Sequence, residues 1–284
     1  MRFEEKLMAA QQRNNSWLCV GLDIVAGKLP LPLQKMDDPV LSFAREIIDA
    51  TQDLVCAFKP NLGFFLAEGA AGIVALERLI RCVPPDIPVI LDAKFGDIGS
   101  TAEQYARGAF EAFRVDAVTL SPYVGADAIK PFLAYADKGV FVLARTSNPG
   151  ASEFQSLIVE DESLGAPRSP LYEVVVRKAT EWHRKGPGTC GVVVGATYPQ
   201  ELEHIRFLAP DLPFLVPGVG TQGGDLAATV RHGPTAAGLG PVVNASRSIL
   251  YASGREDFGE AARAAAIQLR DEINVTRNQI REKR

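Results

Sequence analysis

Short apolar runs alternate along the chain with longer stretches in which apolar and polar residues recur at helical spacing. Short apolar runs that are bounded by turn residues are typical of strands buried in a parallel sheet. The pattern predicts eight such strands. They are Trp17–Leu22, Leu54–Lys59, Pro88–Ala93, Ala117–Leu120, Val140–Ala144, Gly191–Val194, Phe214–Val216 and Pro241–Ala245.

The longer amphipathic stretches predict a helix after each strand. They are Leu41–Gln52, Ala70–Cys82, Thr101–Phe113, Ala126–Ala136, Leu171–Lys185, Gln200–Leu208, Gly224–His232 and Glu260–Arg281. Ser100 is the predicted N-cap of the third helix, and Glu103 would complete a capping box with it. Strands that alternate with helices imply a parallel sheet with right-handed crossovers. Eight such units favour an α/β fold of the (β/α)8 TIM barrel type, with an open doubly wound sheet as the alternative.

The length of 284 residues fits one barrel, because such barrels need about 250 residues and form one domain. No linker rich in Pro, Gly or Ser divides the chain, so we expect residues 1–284 to be a single domain. The segment Ser147–Ser169 is a long insertion without clear periodicity. Loops of that length are often functional lids or mobile segments.

Composition and charge exclude several classes of function. The net charge of −4 and the absence of basic blocks argue against nucleic acid as a partner. The chain contains no apolar run long enough to span a membrane, and its charged N-terminus lacks a signal core, so we expect a cytoplasmic protein. The four cysteines are widely spaced and are interpreted as reduced thiols. No set of His, Asp and Glu has the spacing of a metal site.

Charged residues follow the third predicted strand in the segment DAKFGD. Residues two apart share a face of a strand, so Asp92 and Lys94 are expected to point together into the mouth of the barrel. Asp97 follows Gly96, which permits a sharp turn. Lys59 ends the second predicted strand in FKPN, and Asp23 ends the first in GLD. Because buried charges must be paired, these residues predict a pocket for an anionic substrate.

A second group of residues favours phosphate binding. The segment PGVGTQGG, which begins at Pro217, follows the seventh predicted strand, and its glycines allow backbone N–H groups to approach a ligand. Arg247 follows the eighth predicted strand, and arginine binds phosphate in a bidentate manner. Phosphate sites of these barrels are frequent in the loops after strands seven and eight.

Taken together, these motifs resemble the orotidine 5′-phosphate decarboxylase family over nearly the whole chain. They are GLD with Asp23, FKPN with Lys59, DAKFGDIGST with Asp92, Lys94, Asp97 and Thr101, RTSNPG with Ser147, PGVGTQGG with Pro217, Gly220 and Gln222, and SRSI with Arg247. The length and the insertion after Ser147 resemble the longer bacterial subgroup. Phe95 and Ser246 depart from it, since the first position is often basic there and the second is Gly in many relatives.

The resemblance implies decarboxylation of orotidine 5′-phosphate to UMP and CO2, the last step of de novo pyrimidine nucleotide biosynthesis, without cofactor or metal. It also implies a homodimer with shared active sites. Lys59, Asp92 and Lys94 would come from one chain, whereas Asp97 and Thr101 would come from its partner.

The same resemblance implies roles for the binding residues. Asp23 and Lys59 would hold the ribose hydroxyls, helped by Thr101 of the partner chain, and Ser147 would read the pyrimidine amide. The phosphate would be bound by Gln222, Arg247 and backbone N–H groups near Gly220. From the chemistry of the reaction we add the hypothesis that Lys94 donates the proton, with Asp92 near the departing carboxylate.

Two alternatives remain open. A magnesium-dependent decarboxylase or aldolase of sugar phosphates on the same barrel would need a metal-binding carboxylate at the end of strand two, where Lys59 stands. A non-catalytic sensor of phosphoribosyl ligands would bind UMP without turnover.

Overall fold

Parallel strands form a sheet that curls into a barrel in the computed structural model, which describes residues 1–161, 166–196, 199–219 and 225–282. Eight strands belong to this sheet within those ranges. They are β1 Leu18–Leu22, β2 Ala57–Pro60, β3 Ile90–Phe95, β4 Ala117–Leu120, β5 Gly139–Arg145, β8 Thr189–Val194, β9 Phe214–Pro217 and β10 Val242–Ala245. Their order is β2-β1-β10-β9-β8-β5-β4-β3, and isolated bridges between Phe58 and Val89 and between Asn61 and Asp92 join its two ends. The predicted (β/α)8 barrel is confirmed.

Helices surround this barrel, and most of them cover the outer faces of the strands. They are α1 Phe3–Arg13, α2 Pro39–Thr51, α3 Leu62–Leu66, α4 Gly69–Cys82, α5 Gly99–Arg107, α6 Ala126–Leu133, α7 Leu171–Lys185, α8 Pro199–Leu208, α9 Leu226–His232, α10 Arg247–Leu250 and α11 Phe258–Glu282. In the part of the chain that the structure describes, none of the helices has the length and apolarity needed to cross a membrane.

Some strand limits differ from those predicted from the apolar runs. β2 begins at Ala57 rather than at Leu54, although Leu54 and Val55 are fully buried. β3 begins at Ile90 rather than at Pro88, whose nitrogen carries no hydrogen to donate to a sheet. Apolar runs report burial, and the buried run extends beyond the residues that pair in the sheet.

The start of α5 contradicts the predicted N-cap. The helix begins at Gly99, the capping position is Ile98, and no side chain caps it, so Ser100 and Glu103 form no capping box. Gly99 has a φ of +54°, a conformation that glycine adopts at little cost. The chain therefore enters the helix two residues earlier than predicted, which leaves Ser100 inside the first turn. The predicted helix to Phe113 ends at Arg107 and continues as a π-helical turn, Gly108–Ala112.

The N-terminal helix α1, which the strand pattern did not predict, closes the bottom of the barrel. The ring of Phe3 meets that of Phe141 edge to face, with centroids 5.8 Å apart. Gly139 lies under the same ring, and a β-carbon there would come within 2.5 Å of it. At the other end of α1, the amide of Gln11 exchanges two hydrogen bonds of 2.9 Å with the backbone of Gly240.

The insertion predicted over Ser147–Ser169 contains regular structure. A 3-10 turn, Pro149–Glu153, is followed by two antiparallel strands, β6 Ile158–Asp161 and β7 Ala166–Pro170. Residues 162–165 between these strands lie outside the described ranges. An alternation of apolar and polar residues marks a strand with one buried face. Ile158 of β6 is exposed, so this surface hairpin lacks such a face and the sequence shows no alternation.

Candidate active site

The carboxylate of Asp92 lies between two lysine ammonium groups at the mouth of the barrel. Lys59 Nζ is 2.7 Å from Asp92 Oδ2, and Lys94 Nζ is 2.5 Å from Asp92 Oδ1. The side chain of Lys59 is only 4% exposed, whereas that of Lys94 is 48% exposed. The structure therefore brings together three of the predicted residues, and Lys94 is the cation that a ligand in the mouth can reach.

Opposite charges hold this group ionised despite its burial. Burial alone would raise the pKa of Asp92, but the charges and hydrogen bonds of Lys59 and Lys94 hold it well below its usual value. Burial alone would lower the pKa of Lys59, yet Asp92 and then Asp23 raise it above its usual value. The mouth therefore keeps a buried carboxylate and a buried ammonium charged at neutral pH.

The backbone at Lys94 is left-handed, with a φ of +51°. A side chain in this region is strained, and such strain persists only where the surroundings fix it. Thr119 on β4 fixes it here, because its hydroxyl accepts hydrogen bonds from the N–H groups of Ala93 at 3.0 Å and Lys94 at 2.9 Å. The same hydroxyl donates to Asp92 Oδ1 at 2.9 Å.

Thr119 is a positioning residue that the sequence analysis missed. Its only signal in the sequence is a hydroxyl within the apolar run of β4, two residues after Ala117 on the same face.

Two polar side chains near the ends of β1 and β10 have acceptors without partners. Asp23 Oδ1 and Asn244 Oδ1 are both buried and make no hydrogen bond within the described residues. Asn244 donates from Nδ2 to Ser246 Oγ at 3.4 Å. Ser246 lies against Gly21, where a β-carbon would come within 2.0 Å of its hydroxyl. The serine that departs from the family pattern therefore uses space that Gly21 leaves open.

Asp97 and Thr101 do not join the charged group within one chain. The carboxylate of Asp97 accepts a hydrogen bond of 2.8 Å from the backbone of Ile98, and no ion pair links it to the described lysines. Thr101 is exposed on α5, and the neighbouring Ile98 is 56% exposed. Tyr123, in the loop after β4, is 86% exposed. Ile98 and Tyr123 are therefore exposed apolar side chains in the segments that follow β3 and β4.

The predicted phosphate residues are described only in part. Arg247 begins α10 directly after β10, its side chain is exposed, and it forms no ion pair within the described ranges. Pro217 ends β9, and Gly218 has a φ of +91°. Ser147 is half-buried beside Gly195, which follows β8.

Gly220 and Gln222 lie outside the described residues. In the remaining chain no group of three or more His, Cys, Asp or Glu side chains could hold a metal ion.

Comparisons with known proteins agree with the motifs and the fold. The model of the orotidine 5′-phosphate decarboxylase / HUMPS family matches residues 16–265. Orotidine 5′-phosphate decarboxylase from Ralstonia pickettii is 52% identical over 282 residues, which cover 98% of this chain and 100% of that protein.

Two solved structures from Leishmania donovani are also similar. OMP decarboxylase shares 40% identity at a TM-score of 0.82, over 98% of this chain and 99% of that one. UMP synthase shares 41% identity at a TM-score of 0.84, over 98% of this chain but 57% of that longer one. The family resemblance is confirmed, and the chain belongs to the orotidine 5′-phosphate decarboxylase / HUMPS family.

Proposed function

We propose that this chain decarboxylates orotidine 5′-phosphate to UMP and CO2, without metal or organic cofactor, as the last step of de novo pyrimidine nucleotide biosynthesis. The observation that carries the proposal is the Asp92 carboxylate held between Lys59 and Lys94 at the barrel mouth. The family match supports the substrate.

Lys94 is the proton donor in this proposal. When the bond between C6 and the carboxylate carbon breaks, its electron pair stays on C6 as a carbanion with little resonance stabilisation. An ammonium group fixed beside that carbon stabilises the developing charge. One N–H bond of Lys94 then breaks, a C6–H bond forms, and the neutral amine takes a proton from solvent. The 48% exposure of Lys94, against 4% for Lys59, supports this choice.

Asp92 acts on the substrate carboxylate in the same proposal. It stays ionised at neutral pH, so a carboxylate bound beside it experiences like-charge repulsion. Two such charges about 4 Å apart repel by about 4 kcal/mol at an effective dielectric constant of 20. Departure of CO2 removes this repulsion, while Lys59 keeps Asp92 in position through its 2.7 Å contact.

The remaining residues would bind the rest of the substrate. The acceptor of Asp23 that lacks a partner suits a ribose hydroxyl, together with Lys59. Ser147 would read the pyrimidine amide. The phosphate would be bound by Pro217, Gly220, Gln222 and Arg247, of which Arg247 supplies an exposed guanidinium that forms no ion pair within the described ranges.

A homodimer with shared sites completes the proposal. Asp97 lies outside the charged group of its own chain, and Thr101 is exposed beside Ile98. We propose that Asp97 and Thr101 enter the mouth of a second copy, where Asp97 balances Lys94. The exposed apolar side chains of Ile98 and Tyr123 support a surface that another protein covers.

The direct test is an absorbance assay of orotidine 5′-phosphate with purified protein, excess EDTA and no added metal. We expect the substrate signal to disappear and UMP to accumulate in equal amount, because the proposed charges all belong to side chains. The magnesium-dependent alternative predicts activity that EDTA removes. A phosphoribosyl sensor predicts UMP binding without substrate loss, and either result would contradict the proposal.

The shared site predicts complementation between inactive chains. Asp97→Asn and Lys94→Ala should each be inactive alone, whereas mixed dimers contain one site with neither substitution. Mixing equal amounts under conditions of subunit exchange should restore up to about a quarter of wild-type activity per chain, if subunits pair at random. A mixture that stays inactive although mass spectrometry detects mixed dimers would contradict a shared site.

Two further expectations stay predictions. We expect residues 1–284 to unfold as one domain, which calorimetry would test, and we expect a cytoplasmic location, which cell fractionation would test.

A further inference from the structure

A second pocket of about 550 Å³ lies at the end of the barrel opposite the mouth. Trp17, which precedes β1, and Pro210, which precedes β9, line it. In a parallel barrel the segments before the strands lie at the face opposite the active site. The volume falls within the range of small-molecule sites.

Positive charge is concentrated in this pocket. Four arginines line it together with His232, and none of the described lining residues is a carboxylate; the arginines are Arg206, Arg231, Arg277 and Arg281. The whole chain carries a net charge of −4, so this concentration opposes the overall charge of the protein. A concave surface lined by cations attracts anions.

Two of these side chains are already engaged by other groups of the protein. Arg206 donates hydrogen bonds to five backbone carbonyls, among them Leu212 O at 2.9 Å, and lies 3.5 Å from the centre of the Phe214 ring. His232 lies 3.9 Å from the carboxylate of Glu203. These side chains shape the pocket wall, and the other three arginines remain for a ligand.

Arg277 is held in place and has donors to spare. Its guanidinium carbon lies 4.2 Å from the centre of the Trp17 ring, and Nη1 donates to Asn274 Oδ1 at 2.7 Å and to Asn15 Oδ1 at 3.3 Å. Its Nε is buried without a hydrogen-bond partner in the described residues. A guanidinium fixed before binding loses little freedom when it meets an anion.

Arg231 and Arg281 complete the set from two different helices. Both are exposed, and neither forms an ion pair with a residue that the structure describes. Arg281 follows Arg277 by four positions on α11, so the two like charges are neighbours on one helix face. An anion between them would relieve their repulsion, and several guanidinium groups match a ligand with several phosphates.

We propose that this pocket is a second anion site that binds a polyphosphate chain, distinct from the proposed substrate site at the mouth. Arg231, Arg277 and Arg281 bind the phosphate oxygens. The ligand could be inorganic polyphosphate or a nucleoside triphosphate, because the three arginines recognise the phosphates that both share.

Calorimetric titration of the UMP-saturated enzyme at low ionic strength tests this site. Inorganic tripolyphosphate is one probe, and a nucleoside triphosphate is the other. The double variant Arg231→Gln/Arg281→Gln removes two ligands, and Arg45→Gln/Arg184→Gln removes two exposed arginines outside the pocket. Saturation with UMP excludes binding at the mouth.

We expect one-to-one tripolyphosphate binding that weakens as salt is added and is about tenfold or more weaker in the pocket variant. The control variant should bind as the wild type does. Equal affinity for both probes would identify the phosphate chain as the ligand, and tighter binding of the nucleotide would add a contact from its nucleoside. Absence of binding at millimolar probe, or equal weakening in both double variants, would overturn the proposal.

Discussion

Lys94→Ala should reduce UMP formation by at least about 10⁴-fold while leaving the barrel folded. The substitution removes both the proton donor and the cation that stabilises the C6 carbanion. A general acid contributes about 10²–10⁴-fold, and loss of one electrostatic contact to the transition state costs about 10²–10³-fold. Single-turnover measurement of UMP, with circular dichroism as a check on folding, would measure the effect.

A matched pair of variants separates charge from proton transfer. Lys94→Arg keeps a cation but cannot readily release a proton, because guanidinium stays protonated at all ordinary pH values. It should therefore remain strongly impaired. Lys130→Ala removes an exposed lysine from α6 and should leave turnover unchanged. Near-wild-type turnover in Lys94→Ala would eliminate this lysine as the proton donor.

Asp92→Asn should destabilise the fold as well as remove activity. The substitution leaves the ammonium of Lys59, 4% exposed, without its principal counter-charge. Breaking a buried ion pair by removing one partner costs about 3–5 kcal/mol. The free energy of unfolding in urea should therefore fall by about 3 kcal/mol at neutral pH, since Asp23 still offsets part of the charge.

The loss of folding stability in Asp92→Asn should become smaller as the pH rises. In the wild type the pKa of Lys59 is raised, so its contribution is complete below the unfolded value of 10.5 and is lost above it. Without Asp92, burial should lower the pKa of Lys59 below that of the unfolded chain. The deficit should then shrink as the pH rises from about 7 towards about 10, because native Lys59 becomes neutral.

The stability of the wild type at low pH provides a check on this interpretation of the Lys59–Asp92 pair. The pKa of Asp92 is lowered in the native state, so its contribution to wild-type stability is present above the unfolded carboxyl value and is lost in strong acid. As a control, Asp37→Asn removes an exposed carboxylate and should show neither the loss of stability nor its pH dependence. A deficit in Asp92→Asn that is constant across the alkaline range would contradict the assignment to Lys59.

The sequence predicted the barrel because each apolar run corresponds directly to a buried strand, and these runs recur regularly along the chain. It also predicted that Lys59, Asp92 and Lys94 meet, since charges at the ends of buried strands must be paired. Lys94 meets Asp92 in a different way from the one predicted, however. Regular strand alternation does not hold at its left-handed backbone, and Lys94 reaches Asp92 through a conformation that Thr119 stabilises.

Other features depend on contacts that no local pattern encodes. Thr119 acts through hydrogen bonds to β3, and nothing in its own run distinguishes it from a packed residue. Ser100 had the sequence of an N-cap, but Gly99 turned the chain first. The roles of Asp97 and Thr101 depend on a second copy, so neither local pattern nor one chain decides them.

The packing of helix α1 across the bottom of the barrel affects how the protein can fold during its synthesis. Helix α1 is synthesised before the rest of the barrel, yet its Gln11 bonds to Gly240, 229 positions later. Until the segment before β10 is synthesised, the apolar side of α1 lacks part of its final partner surface. Nascent chains that carry α1 but lack this segment should therefore leave part of the apolar side of α1, which includes Phe3 and Leu7, without Leu239 and Val242 to cover it.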